Sequence, residues 1–428
     1  MPSNKLTAIL ILIMLFQIII IHSQENNNPQ VGKYSQIQVK IDSLQQQIEE
    51  IEDEIKNVEG RQPGSPNRRG PRKCGRRRGR INTIWSQRYR HQLVNDAMES
   101  SQEFGELTLN GSAVVSFQSL FDNPGHSSNA VGSFDLFLRT RLSQQVRLFF
   151  DFEVIGGNGP LVGSAPLSNL NGDAGSTQSK DCLDRINLLE AWAEFEILPS
   201  KLKLHGGKID LTNYFDNNRV ANDENSQFLG DMFVNSASFA APVNTPGLRL
   251  HLTPIQCLNL QAGVVSIDNS GDSLLVNLFK IGSFGYKFFP NTNYEAILRI
   301  YGYEHYLNQS ALGWGASYDG LIGNKLKYFL RYGINSKDLS STFPVGSAWS
   351  GGGEYWCSLS GKVLKIGAAV GQINQARDID YMENNIEIYT RHKINKWSYL
   401  SLHYQSIWSA GFDKNIANLI GMRTNFNF

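Results

Sequence analysis

From Phe104 onward the chain alternates apolar and polar residues, and this period of two limits the fold more than any other feature. The stretch "SFDLFLRTRL" sets Phe134, Leu136 and Leu138 on one face, with Asp135, Arg139 and Arg141 on the other. "VRLFFDFEV" opposes Val146, Leu148 and Phe150 to Arg147, Asp151 and Glu153. "LEAWAEFEI" sets Ala191, Ala193 and Phe195 against Glu190, Trp192 and Glu194. About sixteen such segments can be placed, at 106–117, 131–142, 145–156, 185–197, 201–209, 246–252, 257–266, 276–287, 293–303, 311–319, 325–333, 350–360, 363–373, 382–392, 397–407 and 417–428. Most run near ~10 residues, the length a tilted strand needs to cross a bilayer.

The gaps between segments alternate in length. Ser143-Gln144, Pro199-Ser200, Gly323-Asn324 and Gly361-Lys362 are short; most gaps between them are longer. Membrane barrels show this parity, with short turns at one rim and long loops at the other. A soluble sandwich or propeller could also alternate, but it explains neither the strand length nor the parity. The fold expected is all-β, a 16-stranded antiparallel transmembrane β-barrel. An even strand number puts both barrel ends at the short-turn rim. The last stretch, "TNFNF", then reads as the sixteenth strand, with Phe426 and Phe428 toward lipid and Asn425 and Asn427 toward the lumen.

The N-terminal part has a different pattern. Lys5 precedes an apolar run from Leu6 to Ile21, which reads as a signal peptide over 1–23. An uncleaved anchor is the alternative. Residues 24–60 hold a heptad seam through Ile37, Ile41, Leu44, Ile48, Ile51, Ile55 and Val58. Isoleucine at both core positions disfavours two strands, so a trimeric coiled coil in the periplasm is expected, preceding the barrel. Residues 61–81 are rich in Arg, Gly and Pro with little to pack a core, and form a basic linker. This linker is either a spacer or a contact for peptidoglycan or another anionic envelope polymer. The barrel portion spans 82–428, opening with a short helix over Asn82–Ser100.

Composition narrows the function classes. The formal net charge is +1, so no global field selects nucleic acid. Cys74, Cys182, Cys257 and Cys357 form no CxxC or Cys/His cluster, so no metal or other cofactor is expected. His251, His305, His392 and His403 are scattered with no nucleophile motif, so no catalytic residues are expected and an enzyme is disfavoured. A structural protein tethering the outer membrane to the cell wall is the alternative to a channel.

The gap from about 210 to 245 is unlike a surface loop. It carries Asp210, Asn213, Tyr214, Asp216, Asn222, Asp223, Glu224 and Gln227 among buried-type aromatics. "GKIDLTNYFDNN" followed by "ANDENSQFLGDMFVN" resembles the carbohydrate-selective porin family (OprB type). The resemblance is strongest over 190–255. It implies sixteen strands, a pore narrowed by an inward-folded loop, and diffusion of sugars and other small polar solutes across the outer membrane. With the lumen-facing Arg139, Arg147, Glu190, Trp192 and Glu194, the loop residues form the candidate constriction. The coiled coil and basic linker depart from the plain family pattern.

Overall fold

The structure, a computed structural model, describes residues 105, 107–121, 126–160, 162, 167–175, 185–267, 277–307, 309–359, 362–377, 381–410 and 416–428. The expected signal peptide, coiled coil, basic linker and entry helix lie outside these residues. The barrel falls within the unit Thr83–Phe428. Its strands are β1 (Leu107–Phe121), β2 (His126–Arg141), β3 (Val146–Gly157), β4 (Arg185–Leu198), β5 (Leu202–Ile209), β6 (Thr245–Ile255), β7 (Leu258–Ser266) and β8 (Leu278–Phe288). They continue as β9 (Ala296–Leu307), β10 (Gln309–Ile322), β11 (Leu326–Asn335), β12 (Val345–Leu359), β13 (Lys362–Gln375), β14 (Met382–Lys393), β15 (Ser398–Ala410) and β16 (Ile416–Asn427). Three one-turn helices lie in the long connections: α1 (Gly172–Gly175), α2 (Thr212–Phe215) and α3 (Asp231–Val234).

Each strand pairs antiparallel with its sequence neighbours, and β1 pairs with β16 to close the ring. Closure leaves no sheet edge, so the strands satisfy one another's backbone groups without water. The alternation sorts the side chains as expected. Leu248, Leu250, Leu330, Ile388, Ile420 and Met422 point outward and are exposed. Arg249, Arg331, Glu387 and Arg423 point inward and are buried. Exposed aromatics ring both rims. Tyr286, Tyr355, Trp397 and Phe428 lie toward the short turns; Phe117, Trp314, Tyr332 and Trp349 lie toward the long connections. An apolar belt between aromatic girdles is the exterior of a membrane-spanning barrel.

Two local devices shape the inner wall. The β3–β4 register slips between Asp151 and Phe152, whose partners are Glu190 and Leu188. The unpaired Leu189 is a bulge that flips the alternation. Ile186 and Leu188 stay outward, while Glu190, Trp192 and Glu194 turn inward. Opposite Trp192 in β5 is Gly207, with φ at 140°. A Cβ there would meet the Ala191 carbonyl oxygen at 2.2 Å and the Trp192 Cα at 2.7 Å, so glycine is required where β5 passes close to the β4 backbone.

The terminal strand is locked at the seam. Gly111 and Phe428 exchange backbone hydrogen bonds of 3.0 and 3.1 Å. The Phe428 ring stacks on Phe134 at 5.7 Å and covers Gly111, where a Cβ would lie 2.5 Å from the ring.

The gap parity has departures at both rims: the β8–β9 connection at the short-turn rim takes residues 289–295, more than the gap between β15 and β16. β9 ends at Leu307 and β10 begins at Gln309, so a connection expected to be long is nearly absent. The inner wall also departs from an all-polar lumen. Tyr301 and Tyr389, which the alternation places on the inner face, are 1% exposed. Tyr301 packs with Phe279 and Tyr303 against Leu211, Phe215 and Phe239. Tyr389 packs with Phe329 and Ile373 against Val220, Phe228 and Phe233.

Candidate functional site

The pairing register builds the site. Arg147 on β3 stands opposite Glu194 on β4, Glu194 opposite His205 on β5, and His205 opposite Arg249 on β6. All four point inward, so one lateral row carries alternating chemistry. Arg147 Nη1 lies 3.1 Å from Glu194 Oε1 and Lys203 Nζ lies 3.2 Å from the same oxygen. His205 Nε2 reaches Glu194 Oε2 at 2.8 Å. The Arg249 guanidinium lies over the Tyr214 ring, 3.9 Å from its centroid.

One residue row away, Phe137, Phe149 and Trp192 run toward His205 and Tyr214. Successive ring centroids are 6.2, 4.9, 5.1 and 5.8 Å apart. Arg139 sits over Phe149 at 5.1 Å. These groups line a cavity of about 560 Å³ that extends toward the short-turn rim, where Cys257 and Asn427 border it. Asn213, Asn217, Asn222, Asp223 and Gln227 from the 210–244 segment line it as well.

Glu190 joins wall and segment. Its carboxylate accepts from Trp192 Nε1 at 3.0 Å, Asn213 Nδ2 at 3.2 Å, Tyr214 Oη at 3.4 Å and the Asp210 amide at 3.3 Å. The cavity thus brings together Arg139, Arg147, Glu190, Trp192, Glu194, Asn213, Tyr214, Asn222, Asp223 and Gln227. Asp210, Asp216 and Glu224 are not on its lining. Asp210 accepts from the amide and hydroxyl of Thr212, the first residue of α2. Asp216 is buried beside Arg331, with 3.2 Å between Oδ2 and Nε, and accepts the Ser236 amide. Glu224 offers its carbonyl oxygen to Arg423.

Further pins hold the segment around the ring. Arg219 donates to Asp319 and, at 2.8 Å, to Glu295. Glu387 accepts the Leu229 and Gly230 amides at 2.7 and 2.8 Å. Arg391 donates to the Ser226 carbonyl at 2.9 Å and Arg423 to that of Gln227 at 2.7 Å. One segment is therefore bonded to inward-facing side chains on opposite sides of the barrel.

Comparison with solved structures gives the architecture a name. The Pseudomonas putida OprB structure at high pH superposes with a TM-score of 0.64 at 13% identity, covering 81% of this chain and 99% of that one. The low-pH structure of the same protein gives a TM-score of 0.52 at 14% identity over the same shares. The barrel has the OprB porin fold. In sequence, an uncharacterized protein of Aquifex aeolicus strain VF5 is 27% identical over 298 residues, 70% of this chain and 85% of that protein. No family profile matches the chain.

Within this porin fold, sequence reasoning missed a second connection. Residues 167–175 dock on the 210–244 segment: Gly172 N donates to the Leu229 carbonyl at 2.7 Å, and Asp231 N to that of Asn169 at 2.9 Å. Asn171 reaches Ser116 and Gln118 on β1. Also missed was His205, although "LKLHGGK" alternates. Its segment, 201–209, is among the expected strands; what sequence does not show is the register that sets His205 between Glu194 and Arg249.

Asp173 in α1 is buried, and burial pushes its carboxyl well above the usual carboxylate range. The Ser133 hydroxyl, donating at 2.6 Å, pulls the other way, while Asp135, Glu224 and Glu153 repel its charge. A carboxyl raised by folding opposes the folded state when ionised. The opposition is absent below the unfolded pKa of about 3.9. It grows as pH rises toward the folded value and is complete above it. Asp173→Asn is expected to raise the thermal unfolding temperature in detergent above neutral pH, and to change it little near the unfolded pKa. Circular dichroism melts at the two pH values check this.

Proposed function

We propose that the chain is an outer-membrane porin for passive diffusion of small polar solutes, carbohydrates among them, with the 210–244 segment folded into the lumen as the constriction. The observation that carries the reading is the cavity itself. Barrel wall bounds it on one side and the segment's amide-rich face on the other. Its ring run offers apolar faces to sugar C–H groups. The flanking amides and carboxylates offer hydrogen bonds to hydroxyls. The candidate constriction is then Arg139, Arg147, Glu190, Trp192 and Glu194 with the segment residues on the lining, while Asp210, Asp216 and Glu224 hold the segment in place. The N-terminal coiled coil would hang in the periplasm and assemble three copies.

Reconstitution in planar bilayers tests this. Folded protein is expected to give discrete conductance steps that a sugar partly blocks. The native Cys257, a free thiol bordering the cavity, supplies an internal probe. In a chain with Cys74, Cys182 and Cys357 replaced by Ser, a bulky thiol-specific reagent is expected to lower the current stepwise. Conductance unaffected by complete labelling would put the cavity off the path, and no conductance from folded protein would defeat the porin reading.

A further inference from the structure

We propose that Arg249 is a carboxylate subsite, which would make sugar acids the preferred solutes of this cavity. The proposal rests on the porin reading above and adds a charge preference to it. Arg249 is 5% exposed, yet among the described residues it belongs to no ion pair. Its partners are neutral. Nε donates to Gln261 Oε1 at 2.8 Å, Nη1 donates to His205 Nδ1 at 3.1 Å, and the guanidinium plane lies on Tyr214.

The state of His205 follows from this geometry. An arginine can only donate, so Nδ1 of His205 must accept. The ring proton is then on Nε2 and is donated to Glu194 Oε2 at 2.8 Å. His205 is neutral. The charge of Glu194 is met by Arg147 and Lys203, on the far side of the imidazole from Arg249. Glu190 is engaged by Trp192, Asn213, Tyr214 and the Asp210 amide. Both carboxylates favour the charge of Arg249 from a distance, but neither forms a direct ion pair with it.

A desolvated cation with only neutral partners is costly unless an anion completes it. Nη2 of Arg249 makes no hydrogen bond within the protein, and the residue borders the cavity. One positive charge with no direct ion-pair partner and one free N–H edge matches a monoanion, and a planar carboxylate suits that edge. Tyr214 and Trp192 beside it present ring faces for the attached sugar.

The test is block of single-channel current by sodium glucuronate and, separately, by glucose. In the wild type, half-block by glucuronate is expected at a concentration about tenfold below that for glucose, the gain of one charge-assisted hydrogen-bond contact. Arg249→Lys keeps the charge and is expected to keep part of the preference. Arg249→Gln, with folding checked by heat-modifiable gel mobility, is expected to abolish it. Equal block by both solutes in the wild type would overturn the proposal whatever the variants do, as would a preference that survives Arg249→Gln. Calorimetric titration of glucuronate into the detergent-purified protein separates the two readings. Binding without conductance would sustain the site and defeat the pore; conductance without preference or binding would defeat the site alone.

Discussion

Replacing Arg219 by Leu is expected to raise single-channel conductance several-fold and make it noisy, while the barrel still folds. Arg219 is the most heavily bonded side chain of the 210–244 segment. Its Nε donates to Asp319, Nη1 to Glu295 at 2.8 Å, and Nη2 to the backbone carbonyls of Glu295 and Asp319 at 3.2 Å each. The groups left behind are not stranded. Asp319 keeps Arg299 at 2.5 Å, and Glu295 keeps the Asn291 amide at 3.0 Å. The loss therefore falls on the docking of the segment rather than on β9 and β10. Breaking a buried ion pair by removing one partner costs about 3–5 kcal/mol. That weakens the docking equilibrium of the Asn217–Val220 stretch by roughly two to four orders of magnitude. Arg219→Lys, which keeps charge without the planar fork, should fall between. A variant with wild-type conductance and noise would show that this stretch does not narrow the path.

The barrel was legible because two solvents read the same strand from opposite sides. Lipid demands an apolar residue at every second position, and the inner wall permits polar ones between. All sixteen expected segments are strands, including the glycine-rich "SGGGEYWCSLS" stretch. There β12 runs from Val345 to Leu359, longer than expected. Gly351 and Gly353 are outward positions opposite Leu330 and Tyr328; the Leu330 side chain covers Gly351, while the Tyr328 ring lies over Gly320 on the other neighbouring strand. Propensity weighed against this strand, and pairing with both neighbours decided it.

The site was legible only as a block. Asp216 and Asp223 occur in similar company, among Asn and Phe. Yet Asp216 is sealed against Arg331, while Asp223 caps its own turn and borders the cavity. What separates them is the inward residue each meets across the barrel, and pairs such as Asp216 and Arg331 are too far apart in sequence for spacing to reveal. The same holds for Arg249. Its position on the inner face follows from alternation, but its neighbours, His205 on β5 and Gly263 on β7 rather than an acid, follow from the pairing register. The docking of 167–175 depends on backbone bonds to Leu229 and Asp231, which leave no residue-type signature.

Glu387→Leu is expected to be the most damaging single change on the inner wall. Four donors converge on this carboxylate: the Leu229 and Gly230 amides at 2.7 and 2.8 Å, His403 Nδ1 at 2.8 Å and Gln405 Nε2 at 3.0 Å. Leucine preserves the apolar volume and leaves the Leu229, Gly230 and His403 donors without an acceptor, while Gln405 Nε2 keeps the Leu170 carbonyl at 3.1 Å. Each buried donor left unpaired costs about 1–3 kcal/mol. The thermal unfolding temperature should fall by roughly 10 °C or more, because each kcal/mol moves a chain of this size by a few degrees. Unlike the Arg219 change, this one strikes the wall itself, since His403 and Gln405 belong to β15. His403 Nε2 also bonds Ser401 at 2.8 Å, so the disturbance should spread along that strand. Glu387→Gln retains one acceptor oxygen and places an amide where two N–H groups point, so it should recover less than half of the loss. Gel mobility without boiling reads the folded barrel in both variants. A Glu387→Leu chain that melts with the wild type would mean that water or a rearranged backbone meets these donors, and that the carboxylate does not hold the segment to the wall.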